Sequence, residues 1–314
     1  MVTEDRCARC AHPIQPDDRF CEECGARVAD QPSDRVEVDV GHAAGVSDRG
    51  RRHYRNEDAL ALRDLESPQD KVAAAVAIVC DGVSSAARPD EASQAAAEAA
   101  ATAMVAALRA HRDPATATRE AVHAAGQAVT ALADCEPSAR DAPACTFVSA
   151  VVTSGTATVG WVGDSRAYWI PRPRAETMPP ARLTEDDSWL AQVVSAGELT
   201  VGEAAVDRRA HAITAWLGGD ADHVVPHIVT IEPKGPGVVV VCTDGLWNYL
   251  DSVDELAAVL PAQALEAPLD AARELVDVAL HCGGRDNITV AVLPLDTQPP
   301  DTQPPDTQPP DTQP

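Results

Sequence analysis

The sequence predicts an α+β protein, because strand-like and helix-like patterns occupy different stretches of the chain. Short apolar and β-branched runs bounded by turn residues lie near 38–80, 145–170 and 224–242, and such runs are typical of strands. Two Ala-rich stretches, 90–111 and 115–134, separate the first two groups. The first stretch begins with acids and ends with bases, as the dipole of a helix favours, and Pro114 begins the second.

The remaining elements follow from the same patterns. Strands are expected at 38–46, 58–63, 72–80, 145–152, 156–162, 165–170, 224–231, 238–242 and 288–293. Shorter helices are expected from about 188 to 196, where Gly197 ends the helix, and around 202–209, 211–217, 247–250, 253–260 and 269–281.

Charge and hydropathy restrict the partners. The formal net charge is -24, and its field repels nucleic acid and anionic membranes. Met1 is followed by Glu4, Asp5 and Arg6 without an apolar signal segment, and the longest apolar runs are about half of a bilayer span. Five of the nine cysteines lie mostly in apolar stretches and are expected to be reduced. These features predict a soluble, cytoplasmic protein.

The first thirty residues contain two Cys-x-x-Cys pairs separated by ten residues, Cys7 with Cys10 and Cys21 with Cys24. Four thiolates on two tight turns form a tetrahedral site that suits a structural Zn²⁺ ion. The segment 1–30 resembles a short zinc ribbon, whose folding free energy comes from the metal. Its expected role is structural or protein-binding.

Two polar segments flank the predicted large domain. Residues 31–37 are interpreted as a linker, and 38–295 as the large domain. From Asp296 the chain repeats Asp-Thr-Gln-Pro-Pro, with no apolar residue to bury. The tail 296–314 is therefore expected to be disordered, with proline-rich, extended character.

Four aspartates lie where apolar runs begin or end: Asp58, Asp81, Asp244 and Asp286. Carboxylates gathered at one place repel each other unless cations are present. Oxygen ligands favour Mg²⁺ or Mn²⁺, and two such ions can activate a water and orient a phosphate group. The basic stretch 49–55 could bind the remaining phosphate oxygens, although by itself it is typical of a solvated loop. Asp164, in a Gly-Asp turn, is by itself typical of a turn residue.

Five motifs in order extend this interpretation. They are Ser-Asp-Arg-Gly at 47–50 with Asn-Glu-Asp at 56–58, Asp-Gly at 81–82, Gly-Asp-Ser-Arg-Ala-Tyr at 163–168, Cys-Thr-Asp-Gly-Leu at 242–246 and Gly-Arg-Asp-Asn-Ile-Thr at 284–289. In order and spacing they resemble the metal-dependent protein phosphatases of type 2C, in a bacterial form, over residues 38–295. The resemblance implies a four-layer αββα sandwich and Ser/Thr phosphoprotein phosphatase activity with Mn²⁺ or Mg²⁺.

The resemblance also assigns roles at the site. Asp81 would bridge two metal ions, and the Gly82 carbonyl would bind one of them. Asp244 and Asp286 would complete the shell of the other ion, Asp58 would act through bound water, and Asp164 would hold a third ion with Asp244. Hydrolysis would proceed by attack of a dimetal-bridged hydroxide. Residues 184–217 match the flap that shapes substrate access.

Two positions depart from the family pattern. His53 occupies the place of the phosphate-binding arginine, five residues before Asp58. The candidates for phosphate binding are therefore Arg51, Arg52 or Arg55 in place of that arginine, or His53 itself. Val83-Ser84-Ser85 follows Asp81-Gly82, so the general acid stays unassigned.

The resemblance implies phosphoprotein partners carrying phosphoserine or phosphothreonine, and a Ser/Thr kinase or its targets among them. Two alternatives from other classes stay open. One is a catalytically impaired phosphatase-like protein used for binding or regulation, with the zinc ribbon as an adaptor. The other is a zinc-ribbon adaptor whose large domain is a sensor or scaffold. A metallophosphohydrolase that acts on a small molecule is a third alternative.

Overall fold

The computed structural model describes residues 10, 12–13, 22–24, 34–65, 74–135, 142–172, 179–219 and 224–296. The chain divides into two units, Met1–Asp34 and Arg35–Pro314, and all helices and strands with described bounds belong to the second. Cys7 and Cys21 of the predicted ribbon, and the repeats of the predicted tail after Asp296, lie outside the described residues.

The second unit contains two sheets and two groups of helices. The strands are β1 (Arg35–Asp39), β2 (Ala44–Asp48), β3 (Asp58–Asp64), β4 (Ala74–Asp81), β5 (Ala144–Cys145), β6 (Phe147–Thr153), β7 (Thr156–Val162), β8 (Arg166–Pro171), β9 (Ala181–Arg182), β10 (Leu217–Gly218), β11 (His227–Ile231), β12 (Gly237–Cys242) and β13 (Ile288–Leu295). The helices are α1 (Pro89–Arg109), α2 (Pro114–Cys135), α3 (Trp189–Ser195), α4 (Val201–Ala205), α5 (Asp244–Trp247), α6 (Val253–Val259) and α7 (Pro268–His281).

Both large sheets are antiparallel. One has the strand order β11-β7-β6-β4-β3, and the other has the order β1-β2-β13-β12-β8-β9. The pair β5 and β10 forms a separate two-stranded ribbon. Sequential antiparallel strands can be joined by short turns. Each strand therefore appears in the sequence as a separate apolar run, and these runs predicted most of the strands.

Three layers of core hold the sheets and helices together. Helices α1 and α2 pack on the β3–β4–β6 side through small residues, such as Ala96, Ala100 and Ala121, which are fully buried. Helices α5, α6 and α7 cover the outer face of the other sheet. The inner faces of the two sheets pack on each other through a third cluster that includes Val79 and Val241. This arrangement confirms the predicted four-layer αββα sandwich.

Most predicted elements are present, and several differ in their bounds. The single strand predicted at 38–46 is a hairpin of β1 and β2, because Gly41, at φ +91°, lets the chain reverse. Strand β1 begins at Arg35, so the predicted linker extends too far into the fold. The predicted helix at 211–217 is wrong: 211–216 are irregular, and Leu217 starts β10. The two-residue strands β9 and β10 were not predicted, since so few residues carry no periodicity.

None of the helices in the described part of the chain combines the length and hydropathy that a bilayer span requires.

Candidate metal centre

Asp58 and Asp81 meet at one end of the first sheet. They are direct partners in the register of β3 and β4. Along β4, Ile78 and Cys80 face the helices, whereas Val79 faces the other sheet. Because side chains alternate along a strand, Asp81 points to the same side as Val79. Asp58 likewise shares the side of Leu62, so both carboxylates lie between the two sheets.

The second sheet contacts Asp58 through two threonines. Val241 and Ala291 face the space between the sheets, and the same alternation turns Thr243 and Thr289 to that side. Thr243 Oγ1 donates to Asp58 Oδ2 at 2.9 Å, and Thr289 Oγ1 donates to the same oxygen at 2.7 Å. Asp58 Oδ1 is buried and has no hydrogen-bond partner in the described structure. Asp58 therefore offers one unpartnered oxygen to the site.

Three further aspartates come from the ends of other elements. Asp244 is the first residue of α5, directly after β12 and Thr243. Asp286 lies two residues before β13, and its Oδ1 accepts the Asn287 N–H at 2.8 Å. Asp164 lies in the turn between β7 and β8, where its carbonyl accepts the Trp247 Nε1–H at 3.0 Å. The structure brings all five predicted aspartates to one end of the sandwich, where they influence each other electrostatically.

The pKa values show how unfavourable this gathering is without cations. Burial, followed by the charges of Asp58 and Asp244, raises the pKa of Asp81 well above its ordinary value. Burial and the charges of Asp286 and Asp164 do the same to the pKa of Asp244. Burial raises the pKa of Asp58 to about 7 against the hydrogen bonds from the two threonines, and burial with the charge of Asp186 raises that of Asp164 to about 6.

These residues fit divalent cations in their chemistry. Across the described residues, no three Asp, Glu, His or Cys side chains lie in an arrangement that could hold a metal ion as they stand. The carboxylates nevertheless converge, and the unpartnered Asp58 oxygen lies among them. A cluster made only of oxygen donors suits Mg²⁺ or Mn²⁺, whose charge would remove the mutual repulsion.

Position 82 has no room for a side chain, so it requires glycine. Its N–H donates to the Glu57 carbonyl at 3.0 Å, and a Cβ at this position would lie 2.4 Å from the Pro89 carbonyl oxygen. Ser84, in the stretch that departs from the family pattern, donates to Glu57 Oε2 at 2.6 Å. The segment after Asp81 is therefore packed closely on the segment before Asp58.

The basic loop 49–55 is fixed by Asn287, which the sequence interpretation did not single out. Asn287 Nδ2 donates to the carbonyls of Arg49 and Arg55 at 2.8 and 3.1 Å, and Asn287 Oδ1 accepts the Glu57 N–H at 2.8 Å. The side chain is 3% exposed. The sequence contains no sign of this role, because the three hydrogen bonds of the Asn287 side chain reach residues some 230 positions earlier in the chain.

The four predicted phosphate-binding residues have different surroundings. His53 Nε2 lies 3.1 Å from Asp286 Oδ1. Arg55 forms ion pairs with Glu57 at 3.1 Å and Asp90 at 3.2 Å. Arg51 and Arg52 are exposed on the same loop. His53 therefore lies at the acidic cluster itself, whereas Arg55 is already neutralised within the protein.

The start of the predicted flap is bound to the turn that contains Asp164. Arg166 Nε and Nη2 donate to the two Asp186 carboxylate oxygens at 3.0 and 2.8 Å, with both side chains nearly buried. The Arg166 guanidinium lies 3.6 Å above the Trp247 ring, which itself bonds to Asp164. Asp187 Oδ2 accepts the Gly163 N–H at 2.9 Å. The sequence interpretation had placed Arg166 in the motif around Asp164 but had assigned no role to Arg166 or to Trp247.

For the predicted zinc site, the structure describes only Cys10, which is exposed, and Cys24, which is partly exposed.

Solved structures of serine/threonine phosphatases have the same fold as this chain. The phosphatase MsPP of Mycobacterium smegmatis, in complex with cacodylate, matches 81% of this chain and 97% of its own at 28% identity and a TM-score of 0.61. The catalytic domain of PstP in complex with two manganese ions matches 81% of this chain and 98% of its own at 24% identity and a TM-score of 0.58. The fold therefore places this chain in the same class of protein as these phosphatases.

The family follows from the sequence comparisons. The model of the protein phosphatase 2C family matches residues 49–278, and the chain belongs to this family. A zinc-ribbon domain model matches residues 6–28. The serine/threonine protein phosphatase PstP of Mycobacterium tuberculosis is 28% identical over 173 residues, or 55% of this chain. The chain spans 31% of the length of that relative. Both resemblances inferred from the motifs are thus confirmed.

Proposed function

We propose that the chain is a metal-dependent phosphatase that hydrolyses phosphoserine and phosphothreonine in proteins. The observation that carries the proposal is the convergence of five aspartates at one end of the sandwich, with the buried Asp58 Oδ1 unpartnered among them. Membership of the protein phosphatase 2C family supports the same reaction. A catalytically impaired binding protein is disfavoured, because every predicted acidic position is occupied and the acids converge.

Each acid has a proposed role. Asp81 and the Gly82 carbonyl would hold the two ions, Asp244 and Asp286 would complete the second site, Asp58 would act through bound water, and Asp164 would hold a third ion. When bound, Mn²⁺ or Mg²⁺ supplies charge neutralisation of the phosphoryl group and a water of lowered pKa.

The protein groups orient these acids and receive the substrate. The hydroxyl groups of Thr243 and Thr289 both donate to Oδ2 of Asp58 and so fix the orientation of its carboxylate. The other oxygen, Oδ1, stays available for a metal ion. His53, beside Asp286, is the group proposed to contact the phosphate oxygens. The exposed Arg51 and Arg52 lie on the same loop and are available to the part of the substrate beside the phosphate. The flap 184–217 would close over the substrate from the turn at Asp164.

The proposed domain organisation joins a zinc ribbon to a phosphatase domain. The phosphatase domain would run from Arg35, where β1 begins, to Leu295, where β13 ends. Cys7, Cys10, Cys21 and Cys24 would bind one structural Zn²⁺ ion in the ribbon. The thiols of Cys80, Cys145 and Cys242 are buried and unlinked, which suits a reducing compartment, so we place the enzyme in the cytoplasm, acting on the products of a Ser/Thr kinase.

The test is hydrolysis of p-nitrophenyl phosphate and of phosphoserine, phosphothreonine and phosphotyrosine peptides with Mn²⁺, with Mg²⁺ and with EDTA. We expect activity on the first two peptides, and none in EDTA. Asp81→Asn and Asp244→Asn should lower kcat by about 100-fold or more. Asp254→Asn, an exposed aspartate on α6, is the matched control and should retain full activity. Metal-independent turnover, or full activity in Asp81→Asn, would disprove the proposal.

A further inference from the structure

Three arginines beside the candidate site lack the ion-pair partners that nine other described arginines have. Arg51 and Arg52 are exposed, and in the described structure neither has an ion pair or a side-chain hydrogen bond. Arg285, next to Asp286, is exposed and equally unpaired. Arg55, in the same loop as Arg51, is neutralised by Glu57 and Asp90. The chain has 49 acidic residues against 25 lysines and arginines, so three unpaired guanidinium groups at one place are a distinctive feature.

The two loops that carry these arginines form one surface. The Arg51 N–H donates to the Gly284 carbonyl at 2.8 Å, directly before Arg285. Asn287 fixes the other side of the basic loop through the carbonyls of Arg49 and Arg55. The backbones below the three guanidinium groups are therefore held in place, and less conformational entropy is lost when the groups bind a ligand. We call Arg51, Arg52 and Arg285 the arginine rim.

We infer that the arginine rim selects phosphopeptides that carry aspartate or glutamate beside the phosphorylated residue. This inference rests on the proposed function, because it names the substrate class of the same site. Guanidinium groups match carboxylates in geometry and charge. The field of a protein with a net charge of -24 repels an acidic peptide, so local cations are required for such a peptide to bind.

The arginine rim and the acidic cluster occupy different places in the structure. The five aspartates gather at one end of the sandwich, where their charge attracts cations, whereas the rim lies in exposed loops on either side of the Arg51–Gly284 bond. Tyr54, in the same loop as Arg51 and Arg52, is 98% exposed and offers an aromatic surface for the peptide chain. The phosphate is thus expected at the acidic cluster, and the flanking carboxylates at the rim.

The experiment compares kcat/KM for three phosphothreonine peptides of equal length. Their flanking residues are acidic (Asp, Glu), neutral (Asn, Gln) or basic (Lys). We expect the order acidic, neutral, basic, with about a threefold to tenfold step from neutral to acidic at low salt. The step should shrink at 0.5 M NaCl, where screening weakens exposed ion pairs.

The variants separate flank recognition from phosphate recognition. The ratio of kcat/KM between acidic and neutral peptides is the readout, because a general loss of phosphate binding affects both peptides and cancels. The triple variant Arg51→Gln, Arg52→Gln, Arg285→Gln should bring the ratio close to one, and the triple Arg→Lys variant should retain most of it. Arg119→Gln, an exposed and unpaired arginine on α2, is the control and should leave the ratio unchanged.

The failures of the inference and of the proposed function are distinguishable. A wild-type enzyme that hydrolyses all three peptides equally well, or a triple Gln variant with an unchanged ratio, overturns the inference and leaves the phosphatase activity standing. If no peptide and no p-nitrophenyl phosphate is hydrolysed, the proposed function fails. Fluorescence anisotropy with the same labelled peptides then decides the inference, which is overturned if acidic and neutral peptides bind equally.

Discussion

Thr243 donates its hydroxyl hydrogen to Asp58 Oδ2 at 2.9 Å, and this bond joins the two sheets at the candidate metal centre. Thr243 directly precedes Asp244, and Asp58 is the register partner of Asp81. One hydrogen bond thus connects two aspartates from the first half of the chain with one from the second. Thr289 adds a second donor to the same oxygen, and its own hydroxyl contacts Ser47 at 2.7 Å.

The first prediction concerns these hydroxyl donors. Replacing both threonines, as Thr243→Val and Thr289→Val, keeps the side-chain volume and removes both bonds to Asp58 Oδ2. We expect the affinity for Mn²⁺ to fall about tenfold or more, because groups that orient a metal ligand contribute on that scale. The measurement is a calorimetric Mn²⁺ titration.

Thr130→Val is the matched control for this experiment, since its hydroxyl bonds only to the Gly126 carbonyl within α2. An unchanged Mn²⁺ affinity in the double variant, with the fold intact by circular dichroism, would contradict the orienting role.

The second prediction concerns pH and metal removal. The pKa of Asp58 is raised to about 7 in the folded protein, against an ordinary value of about 3.9 in the unfolded chain. The folded state therefore binds more protons between these values, and the free energy of unfolding falls as the pH rises through about 4 to 7. In EDTA, we expect a lower Tm at pH 8 than at pH 5.5, and Mn²⁺ should restore stability more at pH 8.

Asp58→Asn should weaken this pH dependence in EDTA, because the titrating carboxyl is absent, whereas Asp254→Asn should retain it. Thermal unfolding followed by circular dichroism provides the measurement. A Tm in EDTA that rises from pH 5.5 to 8 in the wild type would show that the acidic cluster does not control stability in this range.

The third prediction concerns the backbone beside Asp81. Gly82→Ala places a methyl group 2.4 Å from the Pro89 carbonyl oxygen, so the start of α1 or the end of β4 must move. We expect a loss of about 2–4 kcal/mol in the free energy of unfolding, measured by urea denaturation. Gly126→Ala, within α2 with nothing within 4 Å of the new methyl, should instead stabilise the protein by up to about 1 kcal/mol. Equal effects of the two substitutions would contradict the close packing at Gly82.

The fourth prediction concerns the attachment of the flap. Arg166→Ala removes the nearly buried guanidinium that binds Asp186 and covers Trp247, and it leaves the Asp186 carboxylate with only Arg182 as an ion-pair partner in the described structure. We expect a loss of about 3 kcal/mol in stability and faster trypsin cleavage within 184–217. Limited proteolysis followed by mass spectrometry locates the cuts.

Arg273→Ala is the control, since its ion pairs with Glu37 and Asp270 are exposed and lie outside the flap. If cleavage within 184–217 is as slow in Arg166→Ala as in the wild type, Arg166 does not hold the flap in place.

The order of strands and helices, and the positions of four of the five aspartates, could be predicted from local patterns, whereas Asp164 was added by the family resemblance. Apolar runs mark β3, β4 and β12 within a few residues, and an acid at the end of such a run lies at the end of the strand wherever the sheet is placed. The helix predicted at 211–217 failed for the opposite reason. Its apolar residues suit a helix locally, but Leu217 pairs with Cys145 in a ribbon from distant parts of the chain.

The sequence by itself determined the family through its ordered motifs, and with the family resemblance the αββα layers and the set of acids, because motifs and apolar runs are local properties of the chain. Only the tertiary structure decided which groups act on those acids. Thr243 and Thr289 reach Asp58 across two sheets, Asn287 fixes a loop some 230 residues away, and Glu57 and Asp90 neutralise Arg55 while Arg51 stays exposed. Hydrogen bonds and ion pairs depend on distances of about 3 Å between atoms, and such distances exist only after the chain has folded.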